Sequence, residues 1–459
     1  MKNLFKDKKF FLEILTLVIP ITLQNLISSS LNMVDNLMIG KLGENSIASV
    51  GLVNQYFFIF MLCLSGINAG AGIFISQFWG KKDVSNIRKM FGLEIVLSTV
   101  AALIFSILGF IFPGIIMNIF TKDAVVIDLG VKYLRIISIT FIITGLTQGY
   151  STLLRCVGQA KPPMFASLIG VLTNAFLNWI LIFGNFGFPA MGVVGAAIAT
   201  SIARTVEMVY VIYSAHKNNK AIFSNIKEIM SFNYEFVKIY FGTSSSVIIN
   251  ELLWSLGLTA YSIIYAKIGI SAVASMQIAT TINNMFMVLC IGIATAAAIM
   301  VGNKIGAGEE DLAIEYATRL GILAPMIGLA TGIILWFTAP LITRPFNINK
   351  DTLKLTITVL RIMAVFAPLR FFNVLMIVGV FRGGGDTTYS MWVQLGTVWC
   401  FAIPAGYIAA VYFKLPLDNV FFIICLEEVI KIGFEAKRLH SKKWIGNVVE
   451  DLEILDTIQ

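Results

Sequence analysis

Charge is what this sequence lacks most. Only 13% of its 459 residues are Asp, Glu, Lys or Arg, where an ordinary soluble surface carries roughly 25%. Histidine is nearly missing, with His216 and His440 both in polar stretches. The five cysteines (Cys63, Cys156, Cys290, Cys400 and Cys425) are scattered, mostly inside apolar runs, with no CxxC pair or histidine neighbour. They form no metal-binding pattern and read as small core or lipid-facing residues. There is no nucleophile elbow, HExxH or Walker loop. ATP-driven pumping within this chain is thereby disfavoured, and so is a membrane-embedded enzyme, which needs a clustered catalytic constellation. No cofactor is expected. The Lys-rich lead runs into an apolar stretch that contains Pro20 and closes at Asp35 and Asn36. With no cleavage signal after it, that stretch reads as a retained helix.

What is present in quantity is apolar sequence: 57% of the chain, with a mean hydropathy of +0.84. Asn45 to Gly80, Pro162 to Ala203 and Ile268 to Asn303 hold no charge, and Glu94 and Lys122 bracket another such run. About 20 apolar residues cross the hydrocarbon core as a helix, and lipid forbids unpaired backbone groups, so these runs are spans. Twelve are expected, near 12–36, 50–78, 93–112, 131–153, 163–183 and 192–214, then near 237–265, 271–300, 320–342, 357–381, 388–412 and 418–435. The fold class is all-α integral membrane. The net charge of +8 does not indicate nucleic acid, because the basic residues cluster between spans as the positive-inside rule produces. Lys2, Lys6, Lys8 and Lys9, then Lys81, Lys82, Arg88 and Lys89, then the connector lysines 217, 220, 227 and 238 and the C-terminal Lys437, Arg438, Lys442 and Lys443 fall on one side. That bias places both termini in the cytoplasm, across the inner (plasma) membrane, with the bilayer as the chain's largest partner; Lys350, Lys354 and Arg361 are exceptions.

The sequence repeats itself. Under a shift of 226, Lys41-Leu42-Gly43 falls on Lys267-Ile268-Gly269, Ala48-Ser49 on Ala274-Ser275, Gly66 on Gly292 and Gly80 on Gly306. One residue more places Arg155 on Arg382 and Gly158 on Gly385. Each half has six spans, an even number, so both share one orientation and form a parallel, pseudosymmetric repeat. The expected organisation is an N-lobe over 1–215, a cytoplasmic connector over 216–236, a C-lobe over 237–440 and a cytoplasmic tail over 441–459. Two lobes around a central cleft suit alternating access, although a channel is pseudosymmetric too.

Ionisable residues inside spans are the candidates for function, since burying a charge there costs several kcal/mol (~3 or more). Asp35 follows Gln24, Asn25 and Asn32, and the spacing of Asn25, Asn32 and Asp35 places those three on one helical face. A carboxylate among amides takes up a proton or a sodium ion; the plainer alternative is a helix-end carboxylate at the interface. Asn174 and Asn178 stack at i, i+4, for interhelical hydrogen bonding or for an ion site shared with Asp35. Glu251, mid-span in Asn250-Glu251-Leu252-Leu253-Trp254, has no opposite charge within a turn. It is expected to be unpaired, and neutral until hydrated or joined by a cation. Arg204 and Glu207 are expected to pair structurally, as are Glu427 and Lys431. Glu428 is a weaker candidate, with Arg370 as its suggested counter-charge. Asp386, in Arg382-Gly383-Gly384-Gly385-Asp386, reads as a turn and helix cap. Candidates to line a substrate cleft are Gln24, Asn25, Asn32, Asn250, Trp254, Met285 and Asn373; other Met and Phe side chains, such as Met276, Met300 and Phe60, read mainly as packing.

Taken in order, several segments resemble the MATE family (multidrug and toxic compound extrusion), within the superfamily that includes lipid-linked oligosaccharide flippases. They are Pro20 with Asp35 and Gly40-Lys41-Leu42-Gly43, Gln77-Phe78-Trp79-Gly80, Leu154-Arg155-Cys156-Val157-Gly158, Asn174 with Asn178 before Ile182-Phe183-Gly184, Gly195-Ala196-Ala197-Ile198-Ala199-Thr200, Asn250-Glu251-Leu252-Leu253-Trp254 and Phe381-Arg382-Gly383-Gly384-Gly385-Asp386. The resemblance implies a cation-coupled antiporter that exports small amphiphilic, mainly cationic, organic compounds against H+ or Na+. It implies an ion or proton site at Asp35 with Asn174, Asn178 and Thr200, with sodium held at Asp35, Asn174 and Asn178, and an acidic C-lobe residue at Glu251. The chain departs from the family in two places. Many members carry an acid where this chain has Asn178, and some carry an Asp where it reads Phe371-Phe372-Asn373. A monomer is expected. The alternatives are a lipid-linked precursor flippase, which needs a cationic cleft, and an ion channel.

Overall fold

The computed structural model describes residues 7–346 and 349–450, with the side chains of Asn32 and Ile226 outside the description. Among the described residues every named element is helical. In chain order they are α1 (Lys8–Gly40), α2 (Glu44–Lys81), α3 (Val84–Ile111), α4 (Pro113–Phe120), α5 (Ala124–Ile137), α6 (Ile139–Cys156), α7 (Lys161–Phe183) and α8 (Gly192–Asn218). The short α9 (Lys220–Phe223) and α10 (Ile226–Ile229) lead into α11 (Tyr234–Ile268), α12 (Ile270–Gly306), α13 (Glu310–Ile342) and α14 (Lys350–Val374). Then follow α15 (Thr387–Thr397), α16 (Ile403–Tyr407), α17 (Leu417–Cys425) and α18 (Glu427–Ser441), with π-helical turns at Leu375–Phe381, Val398–Ala402 and Ile408–Tyr412.

Ten continuous helical stretches are long and apolar enough to cross a membrane among the described residues. The other two crossings are interrupted: α5 and α6 meet at Ser138, and α17 and α18 meet at Leu426. The fold is thus twelve transmembrane helices in two six-helix lobes. Several helices overrun the expected spans, as α2 does beyond 50–78 and α3 does before 93. A helix closes its hydrogen bonds internally whatever the solvent, whereas hydropathy marks only the part that lipid touches. Ends are set by caps instead: Asp83 accepts from the Asn86 amide at 3.0 Å and Asp123 from the Val125 amide at 2.9 Å.

The repeat is visible in backbone detail. After α6, the Gln159 amide bonds the Leu154 carbonyl at 2.7 Å, with Gly158 at φ 80°; after Phe381, the Asp386 amide bonds that residue's carbonyl at 2.8 Å, with Gly385 at φ 81°. Both are Schellman turns, which need a left-handed residue. The turns that close α2 and α12 also match, with Lys82 left-handed in the first and Gly308 in the second. The expected cap by Asp386 does not form. It stands at the N-cap position of α15, but its carboxylate turns away to Arg438 Nε at 2.7 Å.

By its contacts the chain forms two compact units. One comprises Ile19–Trp79 and Asp83–Tyr240; its apolar core includes Phe60 stacked on Phe141 at 4.9 Å. The other comprises the described residues up to Val18, Gly80–Lys82 and the chain from Phe241 onward. The start of α1 joins this second unit through Asp7 to Arg319 Nη1 (2.8 Å), Tyr316 Oη to Glu13 (3.1 Å), and Phe10 edge-on to Tyr316.

Candidate functional site

In the first unit α7 and α8 pack closely along their length, helped by Gly195, where a Cβ would lie 2.5 Å from the Leu181 carbonyl oxygen. That packing sets Asn174 beside Thr200: Asn174 Nδ2 donates to Thr200 Oγ1 at 3.1 Å. One turn on, Asn178 Nδ2 donates to Asn174 Oδ1 at 2.9 Å and to Asp35 Oδ1 at 2.5 Å. The four residues anticipated as a set therefore form one chain of side-chain hydrogen bonds across three helices. Both asparagines are completely buried, and Asn178 Oδ1 has no partner. An unsatisfied buried acceptor costs roughly 1–3 kcal/mol. Turning that amide toward the carboxylate would offer a cation carboxylate, amide and hydroxyl oxygens, the donor set that hard ions take.

One helical turn and more along α8, Arg204 Nη1 bonds Glu207 at 2.9 Å, as anticipated, and the Ser167 hydroxyl donates to Glu207 at 2.8 Å. Gln24 is buried and donates to Ser167 Oγ at 3.4 Å, so it belongs to this polar seam. Asn25 is partly buried and the Asn32 side chain lies outside the described residues. Sequence reading passed over Glu94. It lies well inside α3, fully buried, with both carboxylate oxygens unpartnered.

In the second unit the expectation for Glu251 is overturned. It is not unpaired: Arg382 Nη1 reaches its Oε1 at 2.9 Å. The partner is 131 residues away, so no local pattern announced it. Arg382 is itself buried, which ties the acid of α11 to the glycine-rich turn before α15. Asn250 is buried and donates to Gln394 at 3.1 Å, with its own Oδ1 unpartnered. Trp254 and Met285 are exposed, Met285 at 65%, whereas Met276, Met300 and Phe60 are core.

The suggested pairing of Arg370 with Glu428 is present at 3.0 Å. Glu428 also accepts from Asn373 Nδ2 at 2.7 Å, so an acid does reach the Asn373 position, supplied by α18. Glu427 pairs with Lys431 at 3.3 Å, as anticipated, and accepts from Tyr261 Oη at 3.2 Å. Tyr261 and Glu435, a fully buried acid two turns beyond Glu427, were also missed.

Buried carboxylates in the spanning helices of a two-lobed parallel repeat define a membrane transport protein. The chain belongs to the MatE family: the family model matches residues 20–180 and again 246–408, once in each half. Members of this family are transporters and not enzymes. The chain is similar to the uncharacterized transporter YisQ of Bacillus subtilis, with 24% identity and 96% of each chain covered. It is also similar to a probable multidrug resistance protein NorM of Thermotoga maritima, with 25% identity over 94% of this chain and 92% of that one. Among solved structures, the MATE transporter VcmN of Vibrio cholerae in its bent form has a TM-score of 0.85 at 16% identity, covering 95% of this chain and 99% of VcmN. A MOP superfamily transporter from Pyrococcus furiosus has a TM-score of 0.82 at 22% identity, covering 94% and 96%. These likenesses share the fold.

Proposed function

We propose that this protein is a secondary active antiporter that exports small amphiphilic, mainly cationic, compounds in exchange for H+ or Na+. The two lobes alternate access about the connector, with the start of α1 moving with the second unit. Relatives named as probable multidrug resistance proteins support the substrate class. The observation that carries the coupling role is the chain Asp35–Asn178–Asn174–Thr200, half-buried at its two ends and fully buried at the asparagines, with one carboxylate, neutral oxygens and an acceptor left open. A proton on Asp35, or a sodium ion among these oxygens, relieves the open acceptor and lowers the penalty of the half-buried charge. Occupancy then biases the lobe between two conformations, as coupling requires. Glu251 serves in the C-lobe as an acid held by Arg382, released when that pair opens. The protein sits in the plasma membrane with both termini cytoplasmic and acts as a monomer.

A flippase for lipid-linked precursors is the weaker reading. It needs free cations for a pyrophosphate, and the deep Arg204 and Arg370 are already engaged by Glu207 and Glu428. The deciding experiment is efflux of an organic cation from proteoliposomes under an imposed pH or sodium gradient. Efflux driven by one gradient and abolished by Asp35→Asn is expected, with Glu251→Gln also reducing it. Full activity in both variants, or solute flux with no countertransport, overturns the reading.

A further inference from the structure

The charge on α18 follows a regular pattern. Glu427, Glu428, Lys431 and Glu435 lie in one nine-residue stretch, and each is at most 7% exposed. Lys431 stands four residues from Glu427 on one side and four from Glu435 on the other, so all three share one face of the helix. With Arg370 from α14, the cluster holds three carboxyl groups and two cations. The pairs formed are Arg370–Glu428 at 3.0 Å, Lys431–Glu427 at 3.3 Å and Lys431–Glu428 at 3.8 Å. Glu435 is left over. It is fully buried and both its oxygens lack a hydrogen-bond partner. Asn373, 2% exposed, also leaves its Oδ1 unpartnered beside Glu428.

Among the described residues, the helices packed on α18 supply no spare cation for Glu435. From α14 comes Arg370, already on Glu428; from the α15 side come Tyr389 and Asp386, and Asp386 takes Arg438 at 2.7 Å; from α17 comes Cys425, and from α11 come Tyr261 and Tyr265. A sodium ion is a poor fit, because Arg370 and Lys431 repel it. An ionised carboxylate alone in this setting is strongly disfavoured, because nothing replaces the water it has lost. Neutrality of the cluster requires one proton.

We propose that this cluster is a proton-binding site of the C-lobe, separate from the Asp35 network, that holds one proton on Glu435 while Lys431 lies against Glu427 and Glu428. When the Lys431 ammonium swings one turn toward Glu435, the Glu435 O–H bond breaks and its proton leaves to water, and the new carboxylate pairs with the lysine. Glu427, left with the Tyr261 hydroxyl, takes a proton from water at its own end of the face. The cluster charge is the same before and after, and one proton has in effect moved eight residues, about 12 Å, along the helix. Use of that proton for transport rests on the antiporter reading; its binding does not.

Infrared difference spectroscopy of the full chain in lipid nanodiscs, titrated with pH, counts protonated buried carboxyl groups directly. Charge balance predicts one from this cluster in the wild type, none in Glu435→Gln and two in Lys431→Met. Asp35 and Glu94 contribute the same background throughout. Loss of one carboxyl signal in Glu435→Gln supports the seat of the proton, and an unchanged spectrum overturns it. A Lys431→Met amplitude equal to the wild type overturns the charge-balanced switch. If these signals behave as expected but proteoliposomes show no coupled efflux, the antiporter reading fails and the proton site stands.

Discussion

Gly158 and Gly385 occupy equivalent turns with nearly equal left-handed φ, yet their surroundings differ. A Cβ on Gly158 meets nothing within 4 Å, whereas one on Gly385 would lie 2.5 Å from Val448 Cγ1. Gly158→Ala is therefore expected to cost only the left-handed penalty, about 1 kcal/mol. Gly385→Ala adds displacement of the segment around Val448 and should cost at least about twice that. Thermal unfolding of the two purified variants measures the difference, and equal shifts would contradict it. The same scale shows what was readable one residue at a time. Asn174 and Asn178 are neighbours by helical spacing alone, so their pairing was legible. The Glu251–Arg382 bond was not, because two charges on different helices carry no mark in the sequence that they meet. Nor was Glu94, a lone acid at the edge of a charge-free run.

At the scale of elements, the connector is held more firmly than a linker rich in Asn and Lys suggests. One arginine of α3, Arg88, donates through Nε to the Ile222 carbonyl at 3.0 Å and through Nη2 to Ser224 Oγ at 2.9 Å; it also bonds the Ala221 carbonyl and pairs with Glu228. Gly92, one turn along, has no room for a Cβ against the Ile229 carbonyl. The hydrogen-bonded Arg88 guanidinium holds the Glu228 carboxyl below the usual carboxylate range, against a smaller opposing effect of burial. A depressed value in the folded state means that the clamp contributes fully above the ordinary glutamate value of about 4.3 and is lost as pH falls through the lower folded value. Amide hydrogen exchange across 219–230, corrected for its intrinsic rate, should thus show the same protection at pH 5 as at pH 7. Arg88→Gln should speed tryptic cleavage at Lys220 and Lys227 by roughly tenfold, the equivalent of one lost charge-assisted hydrogen bond. Unaltered cleavage would show that the connector is held by something else. The C-terminal counterpart is also packed: Trp444 is fully buried and the Gly446 amide bonds the Gly384 carbonyl at 2.8 Å, so part of the expected tail is a strap on the turn after Phe381.

For the whole molecule, the clustering of Lys and Arg predicts that the loop at Lys122 lies outside the cell and the connector at Lys217 inside. In a cysteine-free background, Lys122→Cys should react with a membrane-impermeant thiol reagent in intact cells, and Lys217→Cys only after permeabilisation. The opposite pattern would invert the topology. What the sequence by itself determined was the helical membrane class, the twelve crossings and the parallel repeat. Those follow from properties summed over twenty residues or matched over hundreds, and lipid leaves a chain few other ways to satisfy its backbone. It also placed the α7 asparagines and Asp35 as candidates, because helical periodicity fixes neighbours within one element. The tertiary structure alone decided how the charges are shared. It joined Glu251 to Arg382 and Asn373 to Glu428, beside the Arg370–Glu428 pair already suggested by the sequence, and it left the carboxylate oxygens of Glu94 and Glu435 without a hydrogen-bond partner. In a low-dielectric interior a charge is governed by the few groups within about 4 Å, and which groups those are depends on packing between helices far apart in the chain.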